Sequence, residues 1–80
     1  KPLETRINRI DISIDEKMDE IITFVKQAKK RVMFSDLFLI PDRSHIVTTF
    51  LALLQLMKQN KLNCRQKNHF DPIYVYLMEE

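Results

Sequence analysis

Eighty residues with 45% apolar and 30% charged side chains describe one globular domain and exclude a disordered chain. The net charge of +2, with both signs mixed along the chain, argues neither for nor against nucleic acid as a partner. No apolar run reaches the roughly 18 residues needed to cross a bilayer, and a chain of this size buries about 60% of its unfolded surface, enough for one modest core.

The opening Lys1-Pro2-Leu3-Glu4 is polar and carries no mark of a signal peptide, and the lack of an initiator Met fits a fragment cut from a longer protein. Residues 1–9 are polar and irregular and are expected to form a flexible N-terminal segment ahead of a single domain over 10–80. Ile10-Asp11-Ile12-Ser13-Ile14 alternates with the period of a short strand. Ser13 with Glu16 matches a capping box, in which the hydroxyl takes the N–H three residues on and the Glu reaches back. A first helix is expected over about Ile14 to Lys29. Ile14, Met18, Ile21, Ile22, Val25 and Ala28 line one face, with Phe24 beside them. Asp15, Glu16, Asp19 and Glu20 crowd its start and Lys26, Lys29, Lys30 and Arg31 its end, both of which suit the helix dipole.

Arg31-Val32-Met33-Phe34 is rich in strand formers. Ser35-Asp36 is positioned to cap a brief second helix over Leu37 to Ile40, which Pro41 ends because the residue before a proline avoids helical angles. Asp42 or Ser44 caps a third helix that runs to about Gln59. Glycine is absent, against an average usage of about 7%, so left-handed turn positions fall to the next most tolerant residues, with Asn60 and Asn68 the places to look. Leu62-Asn63-Cys64-Arg65 and Ile73-Tyr74-Val75-Tyr76-Leu77 alternate again. The polar loop between them makes a hairpin, with Pro72 acceptable where it opens its strand.

The third helix dominates the pattern. Ile46, Val47, Phe50, Leu51, Leu53, Leu54 and Met57 fill one arc wider than the roughly 100° stripe of a core-facing helix. Phe50, Leu54 and Val47, near the middle of that arc, are the expected core. Leu51 and Leu53 sit at its edges, and Leu56 falls on the polar side among Thr49 and Ala52. The surplus points to a protein partner contacted through Leu51, Leu53, Leu54 and Leu56. Tyr74 and Tyr76 join them because they face outward if Ile73, Val75 and Leu77 face in. The last strand, if exposed, could extend a partner's sheet. A free apolar patch also seeks cover, so the isolated chain is a candidate for self-association.

Strand, helix, strand, helix, helix and hairpin make an α+β winged helix of three helices with a small antiparallel sheet. Ile12-Ser13-Ile14-Asp15-Glu16-Lys17-Met18, Phe34-Ser35-Asp36-Leu37-Phe38, Thr49-Phe50-Leu51-Ala52-Leu53-Leu54-Gln55-Leu56-Met57-Lys58, Gln66 and Phe70-Asp71-Pro72-Ile73 fall in order at spacing that resembles the C-terminal winged-helix domain of the bacterial kleisin ScpA, the segregation and condensation protein. The resemblance covers about residues 10 to 77. Such proteins often carry Gly where Asn60 stands, and usually show Phe, any residue, Asp, Ile where Asp71 here comes one place early. The resemblance implies a domain without catalytic activity or cofactor that docks on the ATPase head of an SMC protein, on the side away from the coiled coil. The kleisin's other end grips the neck of the second SMC subunit and closes a ring around DNA. It implies ScpB as a partner of other parts of the full-length protein, contact with DNA only through the complex, no membrane association, and a cytoplasmic, nucleoid-associated place.

Two other readings compete. In a DNA-binding winged helix of a transcription regulator, Lys61, Arg65, Lys67 and His69 would touch phosphates, but the third helix offers base edges only Arg43, Ser44, His45, Thr48 and Gln55 around an apolar middle. An enzyme or metal site lacks support: Cys64, His45 and His69 have no ligand spacing, the histidines are expected to be exposed, and without glycine there is no phosphate loop. The single Cys64 reads as a small core residue and fits a reducing cytosol.

Overall fold

The computed structural model describes residues 12–29 and 31–78. The expected irregular segment 1–9, Ile10 and Asp11 of the first alternating run, and Lys30 lie outside the described residues.

Local capping sets both helices. In α1 (Ile14–Gln27) Ser13 is the N-cap and its Oγ accepts the Glu16 N–H at 3.2 Å. Asp15 and Glu16 lie in the first turn and Lys26 in the last, as the dipole favours. Within the described part of the alternating run no strand forms: Ile14 opens the helix, and residues 12 and 13 are irregular. The capping signal at Ser13 overrides the period-2 pattern it interrupts.

β1 (Arg31–Met33) leads into a single 3-10 turn, Phe34–Leu37. This replaces the expected second helix over 37–40 and begins three residues earlier. The Phe34 N–H donates to the Ile73 carbonyl at 2.7 Å, which ties the start of the turn to the sheet, and the next three residues close it with Phe38 N–H on Ser35 O at 3.2 Å. α2 (Arg43–Lys58) is capped by Asp42, whose Oδ2 accepts the N–H groups of Ser44 at 3.1 Å and His45 at 3.3 Å. Its C-terminus closes on Asn60 in the left-handed region, φ 63°. Asn60 N–H reaches Met57 O at 3.0 Å and Lys61 N–H reaches Leu56 O at 2.9 Å, the paired bonds of a Schellman ending. Among the described residues the other left-handed position is Lys29, φ 62°, just after α1, and not Asn68.

β2 (Leu62–Arg65) and β3 (Tyr74–Leu77) form the hairpin. The sheet order is β1-β3-β2, all antiparallel, with Val32 and Cys64 flanking Val75 on the inner face. β3 is thus the central strand. The expectation that the last strand could extend a partner's sheet fails, because both of its edges are already bonded.

The helices pack together over one face of this sheet. Met18, Ile21, Val25, Val32, Ala52, Leu53, Leu56, Leu62 and Val75 form the core. Thr49 and Lys17 are buried with it, the Lys17 Nζ held 3.2 Å from Glu20 Oε1. α2 turns inward the stripe Thr49, Ala52, Leu53 and Leu56, spaced as one helical face. Two expectations are corrected together. Leu53 and Leu56, proposed as partner contacts, are 2% and 1% exposed and fill the core; Phe50, Leu54 and Val47, expected in the core, are 48%, 47% and 48% exposed. The physical reason is helix approach. Ala52, wholly buried, and Thr49 are small enough to let the α2 backbone close on α1, where Phe50 or Leu54 would hold it away.

Candidate interaction surface

Among the described residues two surfaces stand out once the core is closed. The first is the outer side of α2. Ile46, Val47, Phe50, Leu51 and Leu54 recur at helical spacing on the side turned from the core, and each is exposed by about half. The 3-10 turn extends the patch. Phe34 and Phe38, ring centroids 5.0 Å apart and tilted at 47°, join Ile46, Val47, Phe50 and Leu51 around a shallow hollow lined by no polar atom. Monomeric proteins rarely leave so contiguous an apolar patch open unless another surface covers it.

The second surface is the sheet face turned from the helices. Tyr74 and Tyr76 lie here, as the alternation requires, and both are half-buried. The cover comes from arginines set diagonally across the strands: the Arg31 guanidinium sits 4.8 Å from the Tyr74 ring centroid, and Arg65 sits 5.4 Å from that of Tyr76 with Nη2 3.5 Å from its hydroxyl. The ring faces are therefore already occupied. Lys67, Asp71 and Pro72 border the same cleft, which shares no residue with the hollow beside α2.

The wing between β2 and β3 is organised by one side chain. Gln66 Nε2 donates to the carbonyls of His69 at 3.1 Å and Asp71 at 2.9 Å, while Asn68 Nδ2 donates to Asp71 Oδ2 at 3.0 Å. This cross-bracing holds Phe70 fully exposed at the tip. Phe70 was visible in the sequence as part of the hairpin, but nothing there distinguishes an exposed ring from one folded back.

The residues considered for chemistry are dispersed. His45 is half-buried rather than exposed, in the first turn of α2, and its Nδ1 is shut from solvent without a hydrogen-bond partner among the described residues. It borders a cleft between α1 and the 3-10 turn with Phe24, Phe38 and Ile40, while His69 is out on the wing. Among the described residues no three His, Cys, Asp or Glu side chains gather where they could hold a metal ion, and no helix is long and apolar enough to cross a membrane.

Cys64 is half-buried on the inner side of β2, its Sγ 3.8 Å from Met57 Sδ. Burial pushes its thiol above the ordinary value. The folded thiol keeps its proton to higher pH than the unfolded one. Folding stability is therefore unaffected by this group below the unfolded thiol's range and falls as pH rises from there through the raised range of the folded thiol. Since the thiolate is the nucleophile, alkylation by iodoacetamide at mildly alkaline pH is expected to be slower in the native chain than in the same chain unfolded in urea. Equal rates would contradict this placement.

A family model described as segregation and condensation protein ScpA matches residues 1–78. Segregation and condensation protein A of Bacillus licheniformis is 41% identical over 75 residues, covering 94% of this chain and 30% of the relative. That of Oceanobacillus iheyensis is 38% identical over 80 residues, covering all of this chain and 32% of the relative. The chain thus spans about a third of the length of the curated relatives it matches. The fold matches a crystal structure of an SMC head bound to the C-terminal winged-helix domain of ScpA, with a TM-score of 0.66 and 27% identity over 82% of this chain and 100% of that one.

Proposed function

Because this chain belongs to the segregation and condensation protein ScpA family, we propose that it is the docking module of a kleisin, a winged helix that seats on the ATPase head of an SMC protein and helps to close the SMC–kleisin ring in chromosome condensation and segregation. The observation that carries the proposal is the uncovered apolar side of α2, with Leu51 and Leu54 on it and Phe34 and Phe38 beside it. A related fold, seen bound to an SMC head, supports the choice of partner.

The role is one of binding. ATP hydrolysis belongs to the head, and this chain supplies apolar surface rather than reactive groups. Of the residues expected to meet the partner, Leu51 and Leu54 stay in the proposal. Leu53 and Leu56 leave it because the core consumes them, and Tyr74 and Tyr76 are set aside because arginines cover their rings. ScpB is assigned to other parts of the full-length protein, and contact with DNA to the assembled complex, in the cytoplasm at the nucleoid.

A transcription-regulator role is not favoured. α2 exposes Arg43, Gln55 and Lys58 around five apolar side chains, whereas a recognition helix turns hydrogen-bonding groups toward base edges. The test is co-elution of the chain with the cognate SMC head in size-exclusion chromatography. The two are expected to migrate together, and separate elution at concentrations well above those of a stable complex would overturn the proposal.

A further inference from the structure

The apolar stripe of α2 has charged ends. Helical spacing places Arg43 on the same side as Ile46 and Val47, and Lys58 on the same side as Leu54 and Leu51. Both cations are exposed, and among the described residues neither forms an ion pair. α2 contains no Asp or Glu at all. Asp42, next to Arg43, is committed to the amides of Ser44 and His45, and within α2 no Asp, Glu, Lys or Arg lies between Arg43 and Lys58. The exposed side therefore reads cation, apolar strip, cation, with the two charges about 22 Å apart along the axis.

From this pattern we propose that the α2 stripe selects a partner surface of complementary layout: an apolar strip bracketed by carboxylates at both ends, carried by the SMC head and not by a second copy of this chain. The inference rests on the docking function proposed above and adds what the partner must look like. A two-fold pairing of the stripe with itself meets like charges whichever way the helices run. Antiparallel, Arg43 of each copy faces Lys58 of the other; parallel, Arg43 meets Arg43 and Lys58 meets Lys58. A steep crossing parts the cations but leaves most of the stripe in water. The same two charges that repel a second copy attract an acidic rim, so one arrangement serves both recognition and exclusion. Charges at the edge of an interface act mainly on the encounter rate and its salt dependence.

Stopped-flow association of the chain with the cognate SMC head, at low and near-physiological salt, tests this. Arg43→Glu and Lys58→Glu are each expected to slow association roughly tenfold at low salt, and the double reversal to invert the salt dependence, so that its rate rises with added salt where the wild-type rate falls. Arg43 is the first helical residue, where a Glu suits the dipole, so its reversal keeps the fold. In sedimentation equilibrium the wild-type chain is expected to remain monomeric. Arg43→Glu, now complementary to Lys58 of an antiparallel copy, is expected to dimerise, and adding Leu54→Arg is expected to undo that dimer. Rates that ignore both reversals while the wild type binds would overturn the inference and leave the docking function standing. A wild-type dimer that Leu54→Arg disperses would also overturn it. A wild type that does not bind the head at all would sink the docking function and the inference together.

Discussion

Leu54→Arg is expected to weaken binding to the SMC head a hundredfold or more, about 3 kcal/mol, while the melting temperature of the free chain stays within a few degrees of wild type. The argument is one of position. Leu54 is the C-terminal member of the exposed stripe, 47% accessible, and is absent from the core cluster. In the free chain an Arg there keeps its charge in water and has a helix propensity close to that of Leu. In a complex the same guanidinium would be enclosed among Val47, Phe50, Leu51 and the partner's apolar atoms. A charge removed from water without a partner is strongly unfavourable, and the loss falls on binding alone. Phe50→Asp tests the same surface with the opposite sign. If both substitutions leave head binding intact, the α2 stripe is not the docking surface, whatever the family relationship. If both unfold the chain, the stripe belongs to the core in solution.

The elements were legible where local chemistry decides them. Ser13 accepts an amide proton at the first helix start as its position demands, Asp42 does so at the second as one of two candidates with Ser44, and Asn60 holds the left-handed turn that a chain without glycine must give to another residue. The hairpin also followed from alternation around a polar loop. What failed depends on contacts between distant segments. The 3-10 turn begins at Phe34 because its amide meets the Ile73 carbonyl, a bond that no local pattern announces. Lys29 adopts the other left-handed angle at the end of α1, a residue type with no preference for it. Strand order placed β3 between β1 and β2, which occupied the edges on which a partner strand could have paired.

The inversion of α2 moves the candidate site from one side of the helix to the other. Hydrophobicity ranks Phe and Leu above Ala and Thr, so an arc centred on Phe50 and Leu54 looked like the inside. Packing ranks by fit instead, and the face with Ala52 and Thr49 is the one on which α1 can lie close. One trace of this was available. Apart from its two ends and Gln55, the helix carries no long polar side chain on any side, so apolarity alone could not say which side was inner.

The inner stripe supplies the complementary result. Leu56→Ala is expected to destabilise the chain by about 3 kcal/mol and to lower its melting temperature by about 15 °C. Leu56 is 1% exposed, and the core it belongs to has nine members among the described residues, Leu62 and Val75 of the sheet included. Truncation removes three carbons that the fold had taken out of water. The cavity can close little, because Leu56 also accepts the Lys61 amide through its carbonyl, which fixes the helix end in place. A domain this small is typically stable by only about 4–12 kcal/mol, so the loss is a large fraction of the whole. Head binding measured well below the lowered transition is nevertheless expected to persist, since the outer stripe is untouched. Leu51→Ala, 44% exposed, is expected to behave in the opposite sense, with a nearly unchanged melting temperature and weaker binding. The pair therefore separates fold from docking on one helix. A Leu56→Ala chain that melts like wild type would mean that the inward stripe has been misplaced, and with it the assignment of the outward stripe to a partner.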